Sequence, residues 1–159
     1  MIQHLNIAPL ANHPEVLSEL REWFEIEWPE YYGKGGPGNA QADLAAFART
    51  DRLPVGIVAF HQGELCGVAA LKSESIASHR HLSPWAAAGL VKASKRGGGV
   101  GAQLLRALEQ EAERLGFGFI YCGTATSQSL LQRNGWELLE QIEHQGHPLA
   151  VFRKQLNPH

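Results

Sequence analysis

Four of the five residues in Gly97-Gly98-Gly99-Val100-Gly101 are glycine, and they stand between the apolar run Trp85–Val91 and the most regular helical pattern in the chain. That pattern puts Val100, Leu104, Leu105, Leu108, Ala112 and Leu115 on one face, charges on the other and Gly116 at its end. A strand that turns through glycines into a helix aims several backbone N–H groups outward together, with the positive end of the helix dipole behind them. Such a turn binds anions, and a pyrophosphate suits it. Lys95 and Arg96 lead into it, either to pair with phosphate or as solvated surface cations.

Two common phosphate loops do not fit. A nucleoside-triphosphate loop needs Lys and then Ser or Thr where this chain has Ala102 and Gln103 after Gly101. Gly97, Gly99 and Ala102 do satisfy G-x-G-x-x-A of the dinucleotide folds. The acid expected about 20 residues on is absent, however, and Tyr121-Cys122-Gly123-Thr124 stands there. The loop also follows a β-hairpin late in the chain, which leaves too little sequence for a doubly wound sheet.

The remaining segments read as a mixed α/β sheet flanked by helices, in one domain over residues 1–159. Ile2, Leu5 and Ile7 suggest a first strand. Asn12 or His13 then caps a helix with Pro14 in its first turn and Val16, Leu17, Leu20, Phe24 and Trp28 at helical spacing. Residues 28–38, rich in Pro and Gly, read as a loop, and residues 40–49 as a weaker helix. Residues 54–60 and 65–71 form a hairpin around His61-Gln62-Gly63-Glu64. Residues 117–123 complete a parallel strand–helix–strand unit, 127–133 form a short helix, and 136–143 pairs with 149–156.

Composition narrows the partners. A formal net charge of -2 lacks the basic excess that nucleic acid or an anionic membrane attracts. No basic segment leads into an apolar core at the N-terminus, and no apolar run approaches the ~18 residues of a membrane span, so a cytoplasmic protein is expected. Cys66 and Cys122 lie in apolar strand-like runs without zinc-site spacing and read as reduced packing residues, with no metal expected.

Arg96-Gly97-Gly98-Gly99-Val100-Gly101 resembles the pyrophosphate signature of the GNAT acetyltransferases: Gln or Arg, two residues, Gly, any residue, then Gly or Ala. The helix, strand, short helix and Asn134-Gly135-Trp136 that follow keep that family's spacing. The likeness is ungapped over residues 84–136, looser to 156, moderate back to 54, and before that limited to an opening strand and helix pair. It implies a mostly antiparallel sheet with one splayed parallel strand pair, into which the pantetheine arm of coenzyme A inserts. Gly89, Leu90 and Val91 would then offer backbone groups to the arm, and Arg96, Gly97, Gly98, Gly99, Val100, Gly101 and Ala102 would hold the pyrophosphate. Thr124 would touch the arm or cap the next helix.

The resemblance further implies acetyl transfer from acetyl-coenzyme A to a primary amine of a small molecule or protein. The amine attacks directly, with the oxyanion held by an N–H near Leu90. A non-catalytic acyl-coenzyme A sensor is the alternative, and a homodimer is compatible with either. A lysine-like amine, with a pKa of about 10.4, is almost wholly protonated at pH 7, so a proton acceptor helps. Residues 85–91 hold no Asp, Glu or His, which departs from the pattern of some members. Glu30 and His81 are the candidate bases, each also readable as a surface residue. Leu131 falls where many members carry a tyrosine that protonates the departing thiolate, which leaves Ser129, or Ser127, as the candidate acid. Tyr31 and Tyr32 are candidates to line the acceptor pocket.

Overall fold

The computed structural model describes residues 5–157, so Ile2 of the expected first strand lies outside them. Seven strands among these residues form one sheet: β1 (Leu5–Pro9), β2 (Val55–His61), β3 (Glu64–Lys72), β4 (Trp85–Val91), β5 (Phe119–Thr124), β6 (Glu137–His144) and β7 (His147–Gln155). Their order is β1-β2-β3-β4-β5-β7-β6, and every neighbouring pair is antiparallel except β4 with β5. Five helices accompany them: α1 (Leu17–Glu27), α2 (Pro29–Tyr32), α3 (Ala40–Phe47), α4 (Val100–Arg114) and α5 (Gln128–Arg133).

Both hairpin turns are two residues long because Gln and Gly take the positive φ that the twist of the flanking strands requires. Gln62 and Gly63 lie at 52° and 80°, and Gln145 and Gly146 at 53° and 80°. The second turn is therefore tighter than residues 144–148 suggested, and Pro148 already sits in β7 opposite Glu143.

Two expectations at the N-terminal end need correction. Pro14 opens a separate 3-10 turn, Pro14–Val16, and α1 begins only at Leu17, with no side chain capping either. Residues 28–38 are not all loop. Pro29, whose φ is already helical, starts the single turn of α2, and Glu30 belongs to it. The weaker helix expected at 40–49 is α3, where the Asn39 side chain accepts from the Ala42 N–H at 2.9 Å.

Alternation along β2 sorts its side chains between two cores. Ile57 and Ala59 pack with Leu104, Leu105 and Leu108 of α4, while Val58 packs with Leu20 and Phe24 of α1 and Leu44 of α3. With both faces covered, the central strands read as continuous apolar runs rather than alternating ones. Each fully buried Leu or Phe contributes about 1.5–3 kcal/mol. Gly67 lets α4 lie close on β3, since a Cβ there would stand 2.9 Å from Leu104 Cδ1. Among the described residues no helix is long and apolar enough to cross a membrane.

Candidate active site

β4 and β5 share one registered pair, Trp85 with Tyr121, beside a hydrogen bond of 3.0 Å from the Tyr121 N–H to the Pro84 carbonyl. Buried Trp85 fixes this closed end, its Nε1–H donating to the Leu82 carbonyl at 2.7 Å and its ring 5.6 Å from that of Tyr121. Beyond it the strands part. On the β3 side, Val68 faces Leu90 and Ala70 faces Ala87, so Ala88 and Gly89 both stand opposite Ala69. This is a β-bulge, with Ala88 held at a φ of 54°, and it bends β4 away from β5.

The parting opens a cleft of about 460 Å³, lined by Ala87, Ala88, Gly89, Leu90 and Val91 of β4, by Gly101 and Leu104 of α4, and by Cys122 to Ser127. The register also says which backbone groups face it. Lys92 N–H donates to the Cys66 carbonyl at 2.8 Å, so antiparallel alternation makes Leu90 with Val68 the next hydrogen-bonded pair. Val91 between them turns its N–H and C=O away from β3. The cleft-facing donor nearest Leu90 is thus the Val91 N–H.

The glycine loop closes one end. Gly97 and Gly99 take φ of 82° and 86°, and Gly99 caps α4, whose hydrogen bonds begin with Gln103 N–H to the Gly99 carbonyl. The N–H groups of Val100, Gly101 and Ala102 precede that first bond and carry the dipole's positive end. The cradle is open: a Cβ at Gly97 or Gly89 would meet nothing within 4 Å, and one at Gly101 only Leu130 Cδ2 at 3.7 Å. These residues fit a phosphate group approaching from solvent.

Arg96 folds back instead of extending, its Nε–H donating to the Val91 carbonyl at 2.9 Å and its Nη2 lying 3.8 Å from Glu27. Lys95 reaches the other way, with Nζ 3.3 Å from His61 Nδ1 and 3.8 Å from Glu64. Lys92 beside Glu64 holds that carboxyl below its usual range.

The remaining candidates divide. Thr124 lines the cleft, but its buried hydroxyl oxygen accepts the Thr126 and Ser127 N–H groups at 3.2 and 2.8 Å, so the side chain serves as the turn into α5. Leu131 lines the cleft and is 2% exposed. Ser127 also lines it, whereas Ser129 is exposed and outside the lining, because α5 turns positions 127, 130 and 131 to one side and 129 to the other. Glu30 is exposed on α2 and His81 is exposed and stacked on His79, and neither lines the cleft. Tyr31 is half exposed, and Tyr32 packs on Phe24 while donating its hydroxyl to Asp43 at 2.7 Å. Neither tyrosine lines the cleft.

Glu27, which no sequence expectation singled out, and Trp28, expected on the apolar face of the first helix, do line it. Cys122 lies in the lining as a free thiol, and burial pushes it up to about 12, which leaves almost no thiolate to act as a nucleophile.

Several solved structures share the whole fold. An aminoglycoside 6'-N-acetyltransferase complexed with coenzyme A is 16% identical, with a TM-score of 0.78 over 97% of this chain and 98% of its own. The aminoglycoside 6'-N-acetyltransferase from Enterococcus faecium is also 16% identical, with a TM-score of 0.77 over 97% and 98%. A Salmonella typhimurium structure with its cofactor acetyl-CoA is 19% identical, with a TM-score of 0.74 over 98% and 95%. These likenesses establish the fold. No protein among the curated sequences matches the chain. The acetyltransferase (GNAT) family profile, in contrast, matches residues 17–136, most of the chain, which therefore belongs to that family and is an acyltransferase.

Proposed function

We propose that the chain, acting as one domain in the cytoplasm, transfers the acetyl group of acetyl-coenzyme A to a primary amine of a small molecule or protein. Attack is direct, within a ternary complex. The observation that carries this reading is the bulge at Ala88 and Gly89, which parts β4 from β5 in line with the open glycine cradle at the start of α4. A pantetheine arm fits between the strands, where Gly89 and Val91 offer backbone groups, with the pyrophosphate on the N–H groups of residues 97–102.

The thioester carbonyl would then lie near the Val91 N–H, the donor for the oxyanion. The amine nitrogen bonds to the carbonyl carbon, the carbon–sulfur bond breaks, and the thiolate takes up the proton that the nitrogen loses. A thiol with a pKa of about 8.5 is a fair leaving group, which suits a cleft that has Leu131 where others have a hydroxyl. Ser127, the N-cap position of α5, brings a hydroxyl to the same lining.

Release of free coenzyme A thiol across a panel of amines tests the reading. Turnover that depends on an amine supports it. Tight binding of acetyl-coenzyme A with no turnover for any amine identifies a sensor instead, and the absence of any carboxylate on β4 is the observation that keeps that second reading in view.

A further inference from the structure

Glu27 ends α1 at the cleft, and among the described lining residues it is the one charged side chain. Two features there favour a positive charge. The Glu27 side chain is 45% exposed, so a solute reaches it. No basic residue occupies the last turn of α1, which leaves the negative end of that helix dipole uncompensated from within. Trp28, next in the chain, lines the same cleft, its ring packed 5.1 Å from Phe24 and 6.2 Å from Tyr32.

The counter-charge of Glu27 is Arg96, 3.8 Å away, which is also the residue that leads into the glycine loop. Resting on the acetyl-transfer reading, we propose that Glu27 selects acceptors carrying a second positive charge beside the reacting amine. In the same proposal, Arg96 masks Glu27 until the coenzyme's phosphates draw the guanidinium away. Before the donor binds, the pair is neutral and offers a cation little. Once the guanidinium turns to phosphate, the carboxylate faces the acceptor uncompensated, and by linkage each ligand favours the other by the same factor. In the proposal Glu27 holds the second charge rather than removing the reacting proton, a role whose loss in E27Q would slow both amines alike.

Two measurements on the intact protein test this, and both side chains are exposed enough for E27Q and R96Q to fold. The first compares kcat/KM for 1,4-diaminobutane and butylamine. Wild type is expected to prefer the diamine about tenfold, about twofold from its two equivalent amines and about fivefold from a partly exposed charge pair. E27Q is expected to retain only the statistical factor.

The second titrates coenzyme A into wild type, E27Q, R96Q and the double variant. E27Q is expected to bind about two- to fivefold tighter than wild type, with no gain in the R96Q background. A diamine preference that is only statistical in wild type, or that survives E27Q, overturns the acceptor selection. An equal E27Q gain in both backgrounds overturns the masking, because removal of a negative charge near phosphate then explains it without Arg96. Wild type that binds coenzyme A yet acetylates neither amine overturns the acceptor class alone. Wild type that binds no coenzyme A overturns the acetyl-transfer reading itself.

Discussion

Leu131 reaches the cleft from α5 with no hydroxyl, so in the proposed reaction a water or Ser127 would protonate the departing sulfur. General acid help is worth about 10²- to 10⁴-fold where it is needed, and a thiolate needs less of it than an alkoxide does. Leu131→Tyr is expected to keep or raise the acetyl-transfer rate, while overpacking lowers stability by about 1–3 kcal/mol. Rate and melting curve together check this. A folded variant that binds acetyl-coenzyme A normally but transfers far more slowly would show that position 131 does not face the sulfur. The same helix shows how legible single residues were. With Leu131 facing inward, a spacing of four puts Ser127 on its face and Ser129 on the other, a phase that the expectation of Ser129 as the acid did not apply. Glu27 was harder to find. It lines the cleft because α1 stops there; Pro29, two residues on, marks that stop, but nothing in the sequence places the end of α1 beside the gap between β4 and β5. Glu30, three residues on, lies on a separate turn and faces solvent.

At the scale of elements, the bulge in β4 is the feature that makes a cleft out of a sheet. Ala88 adopts the left-handed region, which costs a residue with a Cβ about 1–2 kcal/mol, and the fold tolerates it because the flanking pairs Ala70–Ala87 and Val68–Leu90 stay in register. Ala88→Val, adding a β-branched side chain at positive φ, is expected to destabilise the protein by more than about 1 kcal/mol. Ala88→Gly is expected to be neutral or stabilising by up to about 1 kcal/mol. Urea denaturation of the two variants decides it, and equal stability would mean that the strain is not there. The only sequence signal of the bulge was Gly89 inside the strand, and Ala86-Ala87-Ala88-Gly89 does not say which residue is extra, because that is defined only against β3. The elements around it were legible for physical reasons. α4 carries an apolar stripe of five core residues from Val100 to Ala112, and both hairpins carry Gln-Gly at their turns. α2 was missed because Pro29 marks a helix start and a loop alike, and four residues are too few for periodicity to choose.

Across the whole molecule, the cleft depends on contacts far from it. Buried Glu109 of α4 accepts from the Trp136 indole N–H at 3.0 Å and from Lys154 of β7 at 2.8 Å, and Lys154 also donates to the Asn134 carbonyl at 2.9 Å. Asn134-Gly135-Trp136 is thereby tied to the helix whose first turn forms the cradle. Glu109→Ala leaves an indole N–H and an ammonium without their acceptor, and it is expected to cost about 2–3 kcal/mol, read as a lower melting temperature. Ligand stabilisation is the complementary global test. A ligand that binds only the folded chain adds about 2.7 kcal/mol at 100 times its dissociation constant. For a chain of this length that corresponds to a rise of about 5–11 °C in melting temperature. Acetyl-coenzyme A is expected to produce this shift and NAD none, since the strand after α4 ends in Tyr121-Cys122-Gly123-Thr124, with no acid for a ribose. Gly101→Glu supplies the control. Its Cβ makes only an ordinary contact with Leu130, so the variant folds, but its carboxylate lies among the N–H groups that α4 offers to phosphate. The acetyl-coenzyme A shift should disappear in that variant while its unliganded melting temperature stays within a few degrees of wild type. A shift with NAD, or an undiminished acetyl-coenzyme A shift in folded Gly101→Glu, would mean that the coenzyme does not sit on the glycine loop.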